Sequence, residues 1–182
     1  MVSRGKESEA KYRLRPGQRE RIEGALGGSR HRRSEQTDQY YDVGERVLRL
    51  RQEGGRWFLT YKDSPRITPC GVKVRGEVET PIPEPFAPDL EALILWLGHA
   101  RLTTVRKVRD AYDLDGATVC LDRVEGLPDD YAEIEVLGDA PDGLSRLARL
   151  RDRLGLTDDQ AELRSYARLV AQGKGEPIHG RE

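Results

Sequence analysis

Charged side chains recur at every second position near both ends of the chain. Glu7, Glu9 and Lys11 lie close to the start, and Glu133 and Glu135 repeat the same spacing far along the sequence. Successive side chains of a β-strand point to opposite faces, so each group would share one face of its strand. Clustered carboxylates are preferred ligands of divalent cations. The spacing therefore indicates a metal site wherever these two strands meet.

Basic residues alternate in the same way between these two groups. In Leu48-Arg49-Leu50-Arg51 the arginines share one face and the leucines share the other. The basic set consists of Lys11, Arg49, Arg51, Lys62, Arg75, Lys107 and Arg109. Such side chains bind phosphate oxygens, arginine through a rigid fork of donors. With Asp122 added to the carboxylates, the combination favours a polyphosphate bound through Mg²⁺ or Mn²⁺.

The alternating segments predict an antiparallel sheet, which can be arranged in two ways. In an open sheet, one face packs on helices and the charged face lies in water. In a closed barrel, the charged face lines the interior, where charges need mutual pairing, metal ions or a charged ligand. Helices are predicted over residues 16–26, 88–97, 143–154 and 157–170. The proline-rich stretch 80–88 is interpreted as a connection within the sheet.

Composition limits the class of protein and its partners. The 182 residues suit one domain, and 31 basic against 32 acidic side chains give no basic excess for nucleic-acid binding. Cys70 and Cys120 are far apart in sequence and have no metal-ligand spacing, which suits reduced thiols in a cytoplasmic protein. No apolar run approaches the roughly 18 residues of a membrane-spanning helix, so we expect a soluble protein without a membrane partner.

Several short motifs follow one another along most of the chain. They are Glu7-Ser8-Glu9-Ala10-Lys11, TDQYYD (37–42), LRLR (48–51), LTYK (59–62), RGEVE (75–79), KVR (107–109), LDRVEGL (121–127) and EIEV (133–136). In this order they resemble the CYTH superfamily, the triphosphate tunnel enzymes that include class IV adenylyl cyclases and thiamine triphosphatases. The resemblance implies a single α+β domain over residues 1–172, an eight-stranded antiparallel β-barrel with helices outside, and a flexible tail over 173–182.

The same resemblance implies roles for individual side chains. The metal ligands would be Glu7, Glu9, Asp122, Glu133 and Glu135. The basic set would hold the triphosphate, with Lys11, Tyr40 and Lys62 as candidate catalytic residues; Tyr40 would be either an assisting tyrosine or an aromatic of the core or tunnel wall. Glu77 and Glu79 have either a direct role or a structural one as ion-pair partners. Ser165-Tyr166 matches a family element that packs a helix on the barrel mouth.

Two reactions and one binding function remain open at this stage. A class IV cyclase-like enzyme would convert ATP to cyclic AMP and pyrophosphate. A triphosphatase would hydrolyse inorganic triphosphate, thiamine triphosphate or a nucleoside triphosphate. The third possibility is a module that binds polyphosphate or nucleotide without turnover, and a homodimer is compatible with all three. Two departures from the family pattern are the small Ser8 and Ala10, and the loop GLPDDY at 126–131.

Overall fold

The computed structural model describes residues 3–138 and 142–175. Its strands are β1 (Ser3–Arg13), β2 (Arg30–Tyr41), β3 (Val47–Glu53), β4 (Arg56–Lys62), β5 (Arg66–Ile67), β6 (Lys73–Ile82), β7 (Arg101–Leu114), β8 (Ala117–Val124) and β9 (Asp130–Leu137). Its helices are α1 (Gln18–Ala25), α2 (Ala87–Trp96), α3 (Gly143–Arg153) and α4 (Tyr166–Lys174), with short 3-10 turns at Glu84–Phe86 and Asp158–Gln160. Residues 176–182 of the predicted tail lie outside the described residues.

The sheet closes on itself. The strands follow the order β1-β9-β8-β7-β2-β3-β4-β6, and β6 pairs back to β1, with Glu7 opposite Arg75. All of these pairings are antiparallel. The short β5 pairs only with β6, outside the ring. The predicted eight-stranded antiparallel barrel is therefore confirmed, and the open sheet is excluded.

The outer face of the barrel supplies the main hydrophobic core. Ile134 on β9 and Val119 on β8 are fully buried and pack with Ile22 of α1 and Leu147 of α3. A separate cluster seats α2 on β3 and β4 through Ile94. Because the apolar face of each strand lies outside, the alternating charged residues must point into the barrel.

The α4 helix packs over part of one end of the barrel. Its Leu169 and Val170 pack against Val105, Val124 and Tyr131. Each of these three barrel residues lies two positions from a charged inward residue on its strand. The interior therefore changes from charged to apolar toward this end, where α4 covers it.

Most predicted elements are found, with two corrections. A single helix over 157–170 is wrong: Thr157 caps only a 3-10 turn, and α4 begins at Tyr166 after Ser165, whose hydroxyl accepts from the Arg168 amide. The stretch 80–88 is not all connection, because β6 extends to Ile82. Pro81 lies beyond Glu79, the last residue of β6 that pairs with the described part of β1.

The turn between β7 and β8 follows the chemistry of its residues. Asp115 and Gly116 both have positive φ, at 53° and 72°, as a two-residue type I′ turn requires. This turn fixes the register that places Arg109 opposite Asp122. None of the helices among the described residues is long and apolar enough to cross a membrane.

Candidate active site in the barrel interior

The barrel encloses a cavity of about 220 Å³, here called the central cavity. Among the described residues, eight cationic and six carboxylate side chains line it. They are Lys11, Arg49, Arg51, Lys62, Lys73, Arg75, Lys107 and Arg109, with Glu7, Glu9, Glu77, Glu79, Glu133 and Glu135. Burying so many charges is tolerable only where each one has partners of opposite sign.

Glu7 and Lys62 form a buried ion pair. The Lys62 ammonium donates to both carboxylate oxygens of Glu7, at 2.8 and 2.7 Å. Burial raises the pKa of Glu7 to about 7, with Lys62 opposing the rise and Glu9 contributing to it. Lys62 also lies 3.4 Å from Glu77, so β1, β4 and β6 are linked through this one ammonium group.

Glu9 faces both Arg75 and the last strand. The Arg75 guanidinium donates to it at 2.7 Å, and Lys73 lies 3.8 Å away. Burial alone would raise the pKa of Glu9, but Lys62 and Arg75 together lower it to about 2. Glu9 is also directly opposite Glu135 in the β1–β9 register. Like charges at opposed positions are destabilising unless a cation lies between them.

Arg109 gathers the carboxylates of the last two strands. Its guanidinium donates to both oxygens of Asp122, at 2.7 and 2.5 Å, and to Glu133 and Glu135. Burial alone would raise the pKa of Glu133, but Arg109 and Lys11 hold it well below its usual range. Burial raises the pKa of Glu135, and Glu133 adds to the rise. The pKa values of the two glutamates of EIEV are therefore shifted in opposite directions, down for Glu133 and up for Glu135.

A second arginine pair is organised by Asp38, which is fully buried. Arg51 donates to its two oxygens at 2.6 and 2.8 Å, and Arg49 lies 3.5 Å away. Arg49 is held from the other side by Thr60, which in turn donates to Glu79 at 2.8 Å. Both arginines of LRLR are thus fixed before any ligand arrives.

Tyr166 of α4 reaches into the same cavity. Its hydroxyl donates to Asp122 at 2.9 Å. The ammonium of Lys11 lies 3.9 Å from the ring centroid, and that of Lys107 lies 4.9 Å from it. These are cation–π distances. Burial lowers the pKa of Lys107 to about 8, with Arg109 adding to the effect.

The central cavity continues into an opening beside α4. This first mouth has a volume of about 340 Å³ and shares Tyr40, Val47, Lys73, Arg75 and Ser165 with the central cavity.

A larger opening, the second mouth, has a volume of about 850 Å³ and shares Arg109 and Glu135 with the central cavity. The interior is therefore a tunnel with two entrances.

The structure brings together nearly all of the residues singled out in the sequence. Every predicted ligand of phosphate or metal lines the central cavity except Asp122, which lies fully buried behind Arg109. Tyr40 also lines the cavity. Sequence reasoning assigned no role to Asp38 or Lys73. The signal was present, because each lies two positions before a selected residue, Tyr40 or Arg75, and so shares its face of the strand.

The carboxylate set agrees in chemistry with a hard divalent cation. Glu9, Glu133 and Glu135 offer oxygen donors from two paired strands, as Mg²⁺ and Mn²⁺ prefer. In the described part of the chain, no three acidic, histidine or cysteine side chains converge closely enough to hold an ion as they stand. Glu9, Glu133 and Glu135 instead form ion pairs with arginines. A bound phosphate would compete with these carboxylates for the same arginines.

The fold and this site define a closed antiparallel barrel whose interior is a charged tunnel. The sequence profile of the family described as CYTH domain matches residues 5–166, so the chain belongs to the CYTH family.

Solved structures of other proteins are similar to this fold. The PH1819 protein of Pyrococcus horikoshii OT3 is 30% identical with a TM-score of 0.75, over 91% of this chain and 98% of that one. The PH1012 protein of the same organism is 27% identical with a TM-score of 0.78, over 90% of this chain and 99% of that one.

A candidate adenylate cyclase of Methanocaldococcus jannaschii is 31% identical over 90 residues, which is 50% of this chain. The match spans about half of that curated relative, 49% of its length.

Proposed function

We propose that this protein is a divalent-metal-dependent enzyme that binds a triphosphate in its tunnel and cleaves the phosphate chain. The observation that carries the proposal is the ring of paired cations and carboxylates around the central cavity. Charged residues with no role beyond solubility would lie on the solvated surface and not in an enclosed cavity. A receptor for anions alone would gain nothing from six glutamates among its cations, since each one weakens the attraction for phosphate.

The charge balance of the tunnel supports the need for metal. The eight lining cations are matched by six lining carboxylates together with the buried Asp38 and Asp122. A triphosphate would add about four negative charges to this nearly neutral interior. Uncompensated buried charge is strongly unfavourable. Two divalent cations would restore the balance, which agrees with the two-metal arrangement common in phosphoryl chemistry.

The residue roles follow from position. Glu7, Glu9, Glu133 and Glu135 would hold Mg²⁺ or Mn²⁺, with Asp122 orienting Arg109 from behind. When bound, the metal supplies charge neutralisation at the phosphate oxygens and alignment of the nucleophile. The arginines and lysines of the basic set would bind the remaining oxygens, with Lys73 added to that set by its place in the cavity.

Cyclisation of ATP is the first candidate reaction. The 3′-hydroxyl would lose its proton and its oxygen would attack the α-phosphorus. The bond from that phosphorus to the oxygen that bridges it to the β-phosphorus would break, and pyrophosphate would leave with that oxygen. It is supported by the name of the Methanocaldococcus jannaschii relative, which matches half of this chain.

Hydrolysis is the second candidate reaction. It is supported by the second mouth, whose wide polar opening beside Arg109 and Glu135 gives water access to the tunnel. The attacking oxygen then comes from water, and orthophosphate or pyrophosphate is released.

One assay distinguishes the possibilities. Purified protein is incubated with ATP, inorganic triphosphate and thiamine triphosphate, each with Mg²⁺ and with Mn²⁺, and products are resolved by phosphorus NMR. Cyclic AMP with pyrophosphate identifies a cyclase. Release of orthophosphate identifies a triphosphatase.

Control variants link any turnover to the tunnel. Arg51→Ala should weaken triphosphate binding, whereas Arg21→Ala, an exposed arginine on α1, should not. Tight triphosphate binding without turnover under all conditions would favour the non-catalytic module. Wild-type activity of the Arg51→Ala variant with every substrate would refute the tunnel as the site.

A further inference from the structure

Four large apolar side chains are exposed together on α2 and at its two ends. Trp96 is 86% exposed, Leu97 67%, Phe86 60% and Leu93 50%. In the other elements of the described chain, exposed large apolar side chains occur no more than one to an element. Single exposed apolar residues need no explanation, whereas a group of four on one short helix commonly marks an interaction surface.

These four side chains lie along one exposed side of the helix and are here called the α2 stripe. Leu93 follows Phe86 by seven residues and precedes Leu97 by four. Residues at these intervals align on the surface of an α-helix. Trp96 comes three residues after Leu93 and widens the same side. The segment therefore presents a continuous apolar surface.

The opposite side of α2 is already occupied by the barrel. Ala87 and Ile94 are buried in one cluster with Leu50 of β3. The Tyr41 hydroxyl donates to Glu91 at 2.9 Å and fixes the helix from its flank. The α2 stripe cannot turn inward without losing these contacts, so it needs a partner from outside the barrel.

The α2 stripe is large enough to form the centre of an interface. Its four side chains expose roughly 500 Å², since one aromatic side chain alone offers about 150–250 Å². The largest apolar patch of a typical monomer measures about 300–600 Å². A stable interface buries about 800 Å² on each partner and has a polar rim around an apolar core. The stripe therefore supplies more than half of the area that a stable dimer needs.

The charges beside the stripe decide which partner fits. Glu84 and Asp89 are exposed at the start of α2, His99 and Arg101 follow its end, and no lysine or arginine lies between. An anionic membrane attracts basic helices, which disfavours a lipid surface as the partner. Two antiparallel copies of α2 would keep their acidic starts farther apart than the screening length of about 8 Å. Each acidic start would then adjoin the end of the other helix, near His99 and Arg101.

We propose that the α2 stripe is the contact surface of a homodimer, in which α2 of one copy packs antiparallel on α2 of a second copy about a two-fold axis near Leu93. The same patch is used on both subunits, as in most symmetric dimers. Leu93 then packs on its own counterpart, whereas Phe86 lies far from its counterpart. This inference goes beyond the proposed function and does not depend on it, because the stripe lies outside the barrel wall.

The first measurement is the oligomeric state of the full chain. Sedimentation velocity is recorded at protein concentrations from about 0.1 to 100 μM, which covers the affinities of ordinary interfaces. A dimer should predominate at micromolar concentration, because interfaces of standard size give micromolar or tighter binding.

A matched pair of leucine substitutions locates the interface. Leu93→Asp should raise the dimer dissociation constant by about a hundredfold or more, because it replaces two packed leucines with two like charges near the axis. Leu144→Asp changes a leucine that is 41% exposed on α3, outside the stripe, and should leave the dissociation constant unchanged. Both variants should keep the circular dichroism of the wild type, since both side chains lie on the surface.

Cross-linking tests the antiparallel orientation. The variants Leu93→Cys and Phe86→Cys are made with the exposed Cys70 replaced by serine, while the buried Cys120 is left in place. A short bismaleimide should join two subunits through Leu93→Cys and fail to join them through Phe86→Cys. Equal cross-linking at both positions would overturn the antiparallel arrangement.

Two results would overturn the dimer itself. One is a monomer at every concentration, and the other is a dimer that Leu93→Asp does not weaken. If the protein is monomeric and sediments with phosphatidylcholine vesicles, and Leu93→Asp abolishes that binding, the stripe contacts a lipid surface instead of a second copy.

Discussion

Replacing Asp38 by Asn tests whether the arginines of β3 are held in place by a buried carboxylate. Asn keeps the shape of the side chain and one acceptor oxygen, but it removes the negative charge. Arg51 then loses a bidentate partner at 2.6 and 2.8 Å, and Arg49 loses a charge 3.5 Å away. Both guanidinium groups remain buried, at 7% and 9% exposure.

The expected cost can be bracketed from these contacts. Removing one partner of a buried ion pair costs about 3–5 kcal/mol, because the other charge is left uncompensated. The oxygen that Asn retains recovers part of this, so we expect Asp38→Asn to lower the free energy of unfolding by about 2–3 kcal/mol. A domain of this size has about 5–15 kcal/mol of stability, so the variant should remain folded.

The effect should depend on pH in a defined direction. Burial alone would raise the pKa of Asp38, but Arg49 and Arg51 hold it well below its ordinary value of 3.8. A lowered pKa in the folded state contributes stability above the unfolded pKa, and that stability is lost as the pH falls below it. The difference between wild type and Asp38→Asn should therefore be full at pH 7 and shrink below about pH 4.

The assay is urea denaturation at pH 7 and at pH 3.5, combined with calorimetric titration of inorganic triphosphate at pH 7. Arg51→Met and the double variant complete a cycle, and we expect a coupling energy of about 2 kcal/mol because the two groups act as one unit. Triphosphate affinity should fall in each variant. Unfolding free energies within about 0.5 kcal/mol of wild type, with unchanged affinity, would refute the argument that Asp38 organises the arginines.

Three further predictions concern other parts of the site and its support. Glu9→Gln should abolish metal-dependent turnover yet retain triphosphate binding in calorimetry, whereas the exposed Glu84→Gln should keep full turnover; equal turnover in both would remove Glu9 from the metal site. Tyr166→Phe keeps the ring but loses its bond to Asp122, so urea denaturation should show a loss of about 2 kcal/mol; an unchanged midpoint would contradict that role. Burial alone would raise the pKa of Glu162, but Arg164 lowers it to about 2 from 4.5, so Glu162→Gln should cost about 1 kcal/mol at pH 7 and less as the pH falls from 4.5 toward 2; a constant difference would contradict the linkage.

Much of the site could be predicted from alternation because a strand has only two faces. Once Arg49 and Arg51 are placed on one face, Leu50 must be on the other, and the structure buries Leu50 against α2. The same rule places Asp38 on the face of Tyr40 and Lys73 on the face of Arg75. Alternation gives the face of a residue but not its partner, so the contacts of Asp38 with Arg49 and Arg51 could not be predicted from the sequence.

Closure of the barrel could not be derived from alternation. An open sheet and a closed one give the same two-residue pattern along each strand, and they differ only in whether β1 meets β6. That contact joins segments about seventy positions apart in sequence and depends on strand tilt and register, which no single strand encodes. The helix predicted over 157–170 failed for a local reason, since its capping signal at Thr157 is real but serves only one turn.

The carboxylates of the tunnel have two consequences that explain their number. Without ligand, they neutralise the basic set: Glu7 forms an ion pair with Lys62, Glu9 with Arg75, and Glu133 with Arg109. This keeps the arginines and lysines ordered inside the barrel, so less conformational entropy is lost when phosphate binds. Phosphate oxygens then compete for the same cations and leave carboxylate oxygens available for metal.

Triphosphate and metal should therefore bind cooperatively, each strengthening the other by the same factor, because linkage between two sites is reciprocal. Titrating Mn²⁺ with and without inorganic triphosphate, and triphosphate with and without Mn²⁺, measures both factors in the wild-type protein. Independent binding of metal and triphosphate would mean that the carboxylates remain paired with the basic set and serve only to keep it in place.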